Sequence, residues 1–152
     1  MGETRGGPIY SLKGLLTVRQ GDLDVARLET NKAREVLDRT AEECRRIGMT
    51  IAEHEDELRA VCECGGTIDP GRHAALSSFL KDRRQALQKQ SEALRQAEQA
   101  YELSRNQLHK VKQGVMVLEK HKEGKQLEYR TEADRREQQI LDDMWLQQPR
   151  KK

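Results

Sequence analysis

Two long proline-free segments, each with apolar residues in alternating steps of three and four, most constrain how this chain can fold. The first segment extends from about residue 9 to 62 and the second from about residue 72 to 147. The step in the first segment is sustained over about six heptads, which predicts one narrow apolar seam along an α-helix. The positions of this first seam are Leu16, Arg19, Leu23, Ala26, Thr30, Ala33, Leu37, Thr40, Cys44, Ile47, Ile51, His54, Leu58 and Val61.

The second segment carries a similar seam that ends before the segment does. Its positions are Leu76, Leu80, Arg83, Leu87, Gln90, Leu94, Ala97, Tyr101, Ser104, Leu108, Val111, Val115 and Leu118. The same step then reaches Lys122, Lys125, Tyr129, Glu132 and Arg136, which are almost wholly polar. Because residues up to 147 are still strong helix formers, the sequence predicts that the helix outlasts its seam.

The stretch CECGGTIDPG, residues 62–71, separates the two segments and contains a dense group of helix breakers: Gly65, Gly66, Pro70 and Gly71. A short loop between two amphipathic helices favours an antiparallel pair. If Val61 lies opposite Leu76, Leu16 lies opposite Lys120 or His121. About 20 residues of the second helix should then extend beyond the first.

The predicted fold is therefore all-α, a long antiparallel two-helix coiled-coil hairpin whose second helix is the longer. We expect a flexible leader over residues 1–8, helix 1 over about 9–62, a loop over about 63–71 and helix 2 over about 72–147. A basic tail follows at residues 149–152. Since both seams are satisfied within one chain, we expect a monomer.

The charge pattern argues for solvated helix faces. The chain has 28 basic and 26 acidic residues, a net charge of +2. The signs alternate along the sequence, as in Glu35/Arg39 and Glu132/Arg136, instead of forming the basic stripe of a nucleic-acid-binding protein. No apolar run reaches the length of a membrane span, and the N-terminus has no signal-peptide core. We therefore expect a cytoplasmic protein that binds no nucleic acid.

The candidates for chemistry are few. Cys62 and Cys64 have CxC spacing without a second pair, so a zinc site would need both His54 and His73 to turn inward. A redox role would need a CxxC motif on a βαβ scaffold, and we interpret the pair as small residues at a helix end. Cys44 falls on the seam. With no nucleophile–base pair and no phosphate-binding loop, the sequence predicts neither an enzyme nor a metal or cofactor site.

Two aromatic residues admit two interpretations each. Trp145 is either a solvent-exposed end of the second helix or an anchor for a partner, since tryptophan is enriched among interface hot spots. Phe79 lies one residue before the seam position Leu80. It is either a partner contact or a cap on the thin core.

Three further stretches carry a resemblance to a known family. They are LKGLLTVR (Leu12 to Arg19), LSSFL (Leu76 to Leu80) and the charged EYRTEADRREQQILDD (Glu128 to Asp143). Together with the chain length and the longer second helix, they resemble the FliJ/YscO (SctO) family. Members of this family are central stalk proteins of the type III export apparatus, in flagella and in virulence injectisomes.

The resemblance implies a fold similar to the γ-subunit stalk of rotary ATPases. It implies that the end bearing both termini enters a hexameric export ATPase, and that the chain contacts the cytoplasmic domain of the export gate. Export chaperones are further partners of the family. By position, the gate face would be Phe79, Arg83, Ala86 and Gln90, of which Arg83 and Gln90 depart from the family pattern. The ATPase surface would include Arg130, Arg135, Arg136 and Trp145.

The sequence thus favours a non-catalytic stalk and coupling component of a type III secretion apparatus, peripherally associated with the inner-membrane export machinery. It favours the injectisome narrowly over the flagellum. The alternatives are a secretion chaperone that masks another protein's helices, and a generic coiled-coil scaffold. Neither alternative explains the polar extension after Leu118 as directly.

Overall fold

The computed structural model describes residues 10–63 and 69–147, with nothing stated of the side chain of Val61. The predicted leader at residues 1–8 and the basic tail at 149–152 lie outside the described residues. So do Cys64, Gly65 and Gly66 of the predicted loop.

Two α-helices account for nearly all of the described residues. Helix α1 extends over Lys13–Glu63, 51 residues, and helix α2 over Pro70–Leu146, 77 residues. The described part of the chain contains no strand. The two helices pack against each other, so the predicted fold class, all-α with two packed helices of which the second is longer, is confirmed.

The start of α2 shows how local chemistry shifts a helix boundary. The backbone N–H of Gly71 donates to the Asp69 carboxylate at 2.9 Å, so Asp69 caps the helix. Pro70 then occupies the first helical position, where proline is favoured because its missing N–H has no partner there. The helix consequently begins at Pro70, two residues before the expected start, and Pro70 and Gly71 belong to its first turn rather than to the loop.

Burial follows the two seams closely. The buried residues are Leu16, Leu23, Ala26, Thr30, Ile51, Leu80, Ala97 and Val115, and every one is a predicted seam position. Arg19 and Arg83 interrupt the seams and are exposed. Each has a neighbour on the surface instead. Arg19 forms an ion pair with the Asp22 carboxylate at 3.4 Å, and the guanidinium of Arg83 lies over the Phe79 ring, 5.0 Å from its centroid.

The chain divides into two units. The loop unit comprises Ala26–Leu108. Within it the helices are antiparallel, because Glu57 contacts Arg72 at 2.7 Å and Glu55 contacts Arg84 at 2.6 Å. Near the other end of this unit, the hydroxyl of Thr30 donates to the carbonyls of Ala26 (2.8 Å) and Ser104 (3.3 Å), which joins the two helices through a buried polar group.

The terminal unit comprises Met1–Val25 and His109–Lys152. Here the helices are again paired, with Tyr10 against Leu118 and His121 of α2. The sequence placed Leu16 opposite Lys120 or His121, whereas the structure places Tyr10, three residues before α1, against Leu118 and His121.

Candidate functional site

The side chain of Tyr10, which precedes α1, contacts α2. Its hydroxyl lies 3.3 Å from the Leu118 carbonyl oxygen and 2.9 Å from Nδ1 of His121. The two rings are in tilted contact, with centroids 5.7 Å apart. Sequence reasoning missed this contact, because neither residue is on a seam and a single tyrosine and histidine far apart in sequence give no signal.

A shallow cleft of about 280 Å³ opens beside this contact. It lies just before the start of α1, between Tyr10 and Ser11 on one side and Lys122, Lys125 and Tyr129 of α2 on the other. Past this point the described residues from Glu123 to Gln147 are all exposed. We call residues 123–147 the α2 extension.

Replacing Tyr10 by phenylalanine tests how the start of α1 is held. The variant keeps the ring contact with His121 but loses the hydroxyl, so we expect a loss of about 0.5–1.5 kcal/mol confined to this end. Amide hydrogen exchange should quicken in the first turns of α1 and stay unchanged around Leu80. Equal protection of the first turns in both proteins would show that the hydroxyl contributes nothing.

The predicted ATPase-binding residues all lie on the α2 extension and are all exposed: Arg130, Arg135, Arg136 and Trp145. The structure does not gather them on one face. At about 100° of rotation per residue, the three arginines lie roughly 100–140° apart around the helix axis. Trp145 is 78% exposed, and Arg136 lies 3.5 Å from Glu132. A partner that contacts all of these side chains must therefore surround the helix.

Charges on the extension are held near one another along the helix. Lys125 contacts Glu128 at 2.7 Å. The hydrogen bond from Lys125, together with its charge, lowers the pKa of Glu128, and the same hydrogen bond and the Glu128 charge raise the pKa of Lys125. The extension therefore carries neighbouring charges of both signs on its exposed surface.

Apolar side chains near the end of α2 were not predicted from the sequence. Ile140, Leu141, Met144 and Leu146 are exposed alongside Trp145. The alternating step of three and four passes from Arg136 to Gln139 and Asp143, and so misses Ile140, Leu141 and Met144. A straight helical period of 3.6 would have found Ile140 and Met144 on one face.

The predicted gate-binding residues lie in the loop unit. Phe79, Arg83, Ala86 and Gln90 are spaced by four, three and four, which places them within an arc of about 60° on α2. Phe79 is half-buried and packs against His54 of α1, with ring centroids 4.7 Å apart. Of the two interpretations of Phe79, the structure shows the contact between helices, and part of the ring remains accessible.

Possible metal ligands are not gathered together in the described part of the chain. No group of three or more His, Cys, Asp or Glu side chains that could hold a metal ion occurs among them. Cys62 is exposed and Cys44 is half-buried, both as free thiols, and Cys64 is not described. No described helix is long and apolar enough to cross a membrane.

These features define a class of protein: a two-helix antiparallel coiled coil whose accessible surfaces are helix faces suited to protein partners. A family model described as the flagellar FliJ protein matches residues 9–152. The chain therefore belongs to the FliJ family, structural components of the flagellar and type III export apparatus. Searches of curated proteins and of solved structures found no match to this chain.

Proposed function

We propose that this protein is the stalk and coupling component of a bacterial type III export apparatus, without catalytic residues of its own. In this role the terminal unit enters the ring of the hexameric export ATPase, and the loop unit contacts the cytoplasmic domain of the export gate. The protein works in the cytoplasm, at the inner-membrane export machinery. The family match over residues 9–152, nearly the whole chain, carries the proposal.

The α2 extension supports a partner that encloses it. An isolated helix in water gains little from hydrogen bonding alone, so a fully exposed helical segment depends on packing for lasting stability. Its arginines are distributed around the helix rather than on one face. A flat partner surface would meet only one of them, whereas the wall of a pore meets all three at once.

The ionic character of the extension suits repeated contact with moving subunits. Exposed ion pairs such as Lys125–Glu128 contribute little to stability, so they can be exchanged for pairs with a partner at small cost. Large apolar interfaces, by contrast, release slowly because affinity differences are expressed mainly in the dissociation rate. A charged stalk end is therefore compatible with rotary coupling.

The gate contact is proposed for the face formed by Phe79, Arg83, Ala86 and Gln90. Arg83 is the sharpest probe of this face because it is exposed, whereas Phe79 also packs against His54. We expect Arg83→Glu to weaken binding to the purified cytoplasmic domain of the gate by roughly tenfold, through loss of a charge and introduction of its opposite. Binding is measured by titration calorimetry.

Lys81→Glu is the matched control for that measurement. Lys81 is also exposed and basic, and it lies about 160° around the helix from Arg83, on the opposite face. If Lys81→Glu leaves the gate affinity unchanged and Arg83→Glu lowers it, the gate binds the face of α2 that carries Arg83. Equal losses in both variants would show a diffuse charge effect and remove the assignment.

The phenotype of a strain lacking this protein tests whether it serves the flagellum or the injectisome. The matched family is described as flagellar, whereas the sequence reasoning narrowly favours the injectisome. Loss of swimming with secretion of virulence proteins intact assigns the flagellar branch, and the reverse phenotype assigns the injectisome.

The central test is ATP hydrolysis by the purified export ATPase with and without the full chain. A stalk should increase the rate at saturating ATP because it biases the ring's conformational cycle. A secretion chaperone or a generic scaffold would bind other proteins without changing this rate. Absence of any stimulation by the intact chain would therefore exclude the stalk function.

A further inference from the structure

The face of α2 that packs against α1 continues into the α2 extension, where Tyr10 and Ser11 flank Tyr129 and no described residue covers the face farther along. Val115 is buried on this face in the terminal unit. Tyr129, Ala133, Ile140 and Met144 follow with spacings of four, seven and four, within an arc of about 60° around the helix. Tyr129 is 50% exposed and Ile140 is 58% exposed. The result is an apolar stripe that past Tyr129 has no partner among the described residues, and we call it the extension stripe.

The charges beside the extension stripe are arranged symmetrically along the helix. On one edge, Lys125 and Asp143 lie equally far before and after Asp134, and so do Glu132 and Arg136. On the other edge, Arg130 and Glu137 are placed almost equally about the same centre. Each basic residue thus has an acidic counterpart at the mirrored position.

Such a pattern is complementary to itself in an antiparallel pair. Antiparallel helices bring the same edge of each together, and mirrored positions then face each other. A two-fold axis near Asp134 places Lys125 against Asp143 of a second copy and Glu132 against Arg136 of that copy. Each of these pairs forms twice, as an isologous interface requires.

The apolar side chains agree with the same alignment. With the axis near Asp134, Tyr129 of one copy lies over Ile140 of the other, so an aromatic ring covers an exposed aliphatic side chain twice. Ala133 lies next to the axis, where a small side chain lets two helices approach closely. A parallel pair would instead set each edge of one copy against the other edge of its partner, so these mirrored pairs would not form.

We propose that the extension stripe binds a second copy of this chain in an antiparallel two-fold contact centred near Asp134. The monomer expected from the sequence concerns the α1–α2 seam, which stays within one chain. The new contact uses a different surface and buries little area, so the dimer is weak and exchanges readily with the monomer. It also covers the α2 extension of both copies when no other partner holds it.

The in-chain ion pairs do not oppose this association. Lys125–Glu128 at 2.7 Å and Arg136–Glu132 at 3.5 Å are both exposed, and exposed pairs are worth little. Exchanging them for pairs between copies is therefore nearly neutral. The apolar stripe supplies most of the affinity, and the charges select the orientation and register.

Sedimentation velocity of the full chain over a concentration series tests the proposal. We expect a reversible monomer–dimer equilibrium that weakens as salt is raised. Lys125→Glu and Asp143→Lys should each raise the dissociation constant by roughly tenfold, because each sets like charges opposite one another twice. The double variant Lys125→Glu/Asp143→Lys should restore the original dissociation constant, because the charges are exchanged across the interface.

Two controls make the result specific. Asp142→Lys makes the same charge change one residue earlier, about 170° from the centre of the stripe, and should leave the equilibrium unchanged. Ile140→Asp should abolish the dimer, whereas Leu127→Asp, on the far side of the helix, should not. All these residues are exposed, so the variants retain the fold.

Three results would overturn the proposal. The first is that the protein sediments as a monomer at every concentration. The second is that Ile140→Asp leaves the dimer unchanged, and the third is that the double variant Lys125→Glu/Asp143→Lys stays monomeric. None of these measurements involves the ATPase or the gate. Their failure would therefore leave the proposed stalk function untouched, and the converse also holds.

Discussion

Leu80→Ala is expected to destabilise the loop unit by about 2–3 kcal/mol, near the lower end for leucine truncations in protein cores. Leu80 is 2% exposed and is the most buried apolar side chain of the described residues. The loss combines transfer of the removed carbons to water with the cavity left behind. A core only two helices thick can partly collapse into that cavity, which limits the second term. Urea unfolding followed by circular dichroism at 222 nm measures the loss.

Leu103→Ala is the matched comparison for this measurement. It removes the same atoms from the same helix of the loop unit, but Leu103 is 73% exposed. We expect a change within about 0.5 kcal/mol, since a surface substitution neither opens a cavity nor removes much buried area. Equal losses in the two variants would mean that burial on the seam does not hold the helices together.

The seam is the part of the fold that the sequence predicts best. Counting alternate steps of three and four selects every buried residue, including Ala26, Thr30 and Ala97, which hydrophobicity alone would not single out. This succeeds because a two-helix coiled coil has one narrow interface, so the period of the sequence and the period of burial are the same. The exceptions, Arg19 and Arg83, have long side chains whose charged ends reach solvent from a seam position.

The register between the helices is harder to predict for the same reason. A shift by one heptad returns leucine, alanine and valine to similar surroundings, so the apolar pattern hardly distinguishes the two alignments. The contacts that do distinguish them are individual, such as Tyr10 with His121 and Thr30 with Ser104. They join residues more than 70 positions apart in sequence, and no local period records them.

The sequence predicted the location of the candidate surfaces but missed some of the side chains on them. The sequence located the α2 extension, because its helix-forming composition outlasts the seam, and the structure shows it exposed over Glu123 to Gln147. It missed Ile140 and Met144, because a strict heptad drifts by about 20° per repeat relative to a straight helix. On the α2 extension, beyond the level at which α1 begins, no described helix packs against α2 and maintains the heptad period. The unconstrained period of 3.6 then decides which side chains share a face.

Removing residues 124–152 is expected to abolish stimulation of the export ATPase while leaving the packing of α1 against α2 intact. The truncation keeps Leu118 and His121, and with them both contacts of Tyr10. It removes no buried residue among those described, because the last of them is Val115. The urea midpoint should therefore stay close to that of the full chain. ATP hydrolysis by the purified ATPase should fall to its rate without the stalk, because no segment is left to reach into the ring.

A second variant separates charge from length in this experiment. Replacing Arg130, Arg135 and Arg136 by glutamine keeps the extension helical, since glutamine is a good helix former, but removes cations from three sides of it. If the ATPase ring binds these charges, stimulation of ATP hydrolysis should drop several-fold. The remaining stimulation should then depend less on salt concentration. Full activity in this variant together with none in the truncation would assign the contact to the extension's apolar side chains, Trp145 foremost. Full stimulation by the truncated chain would instead place the ATPase contact before residue 124, where the two helices are paired and the surface available to a ring includes α1.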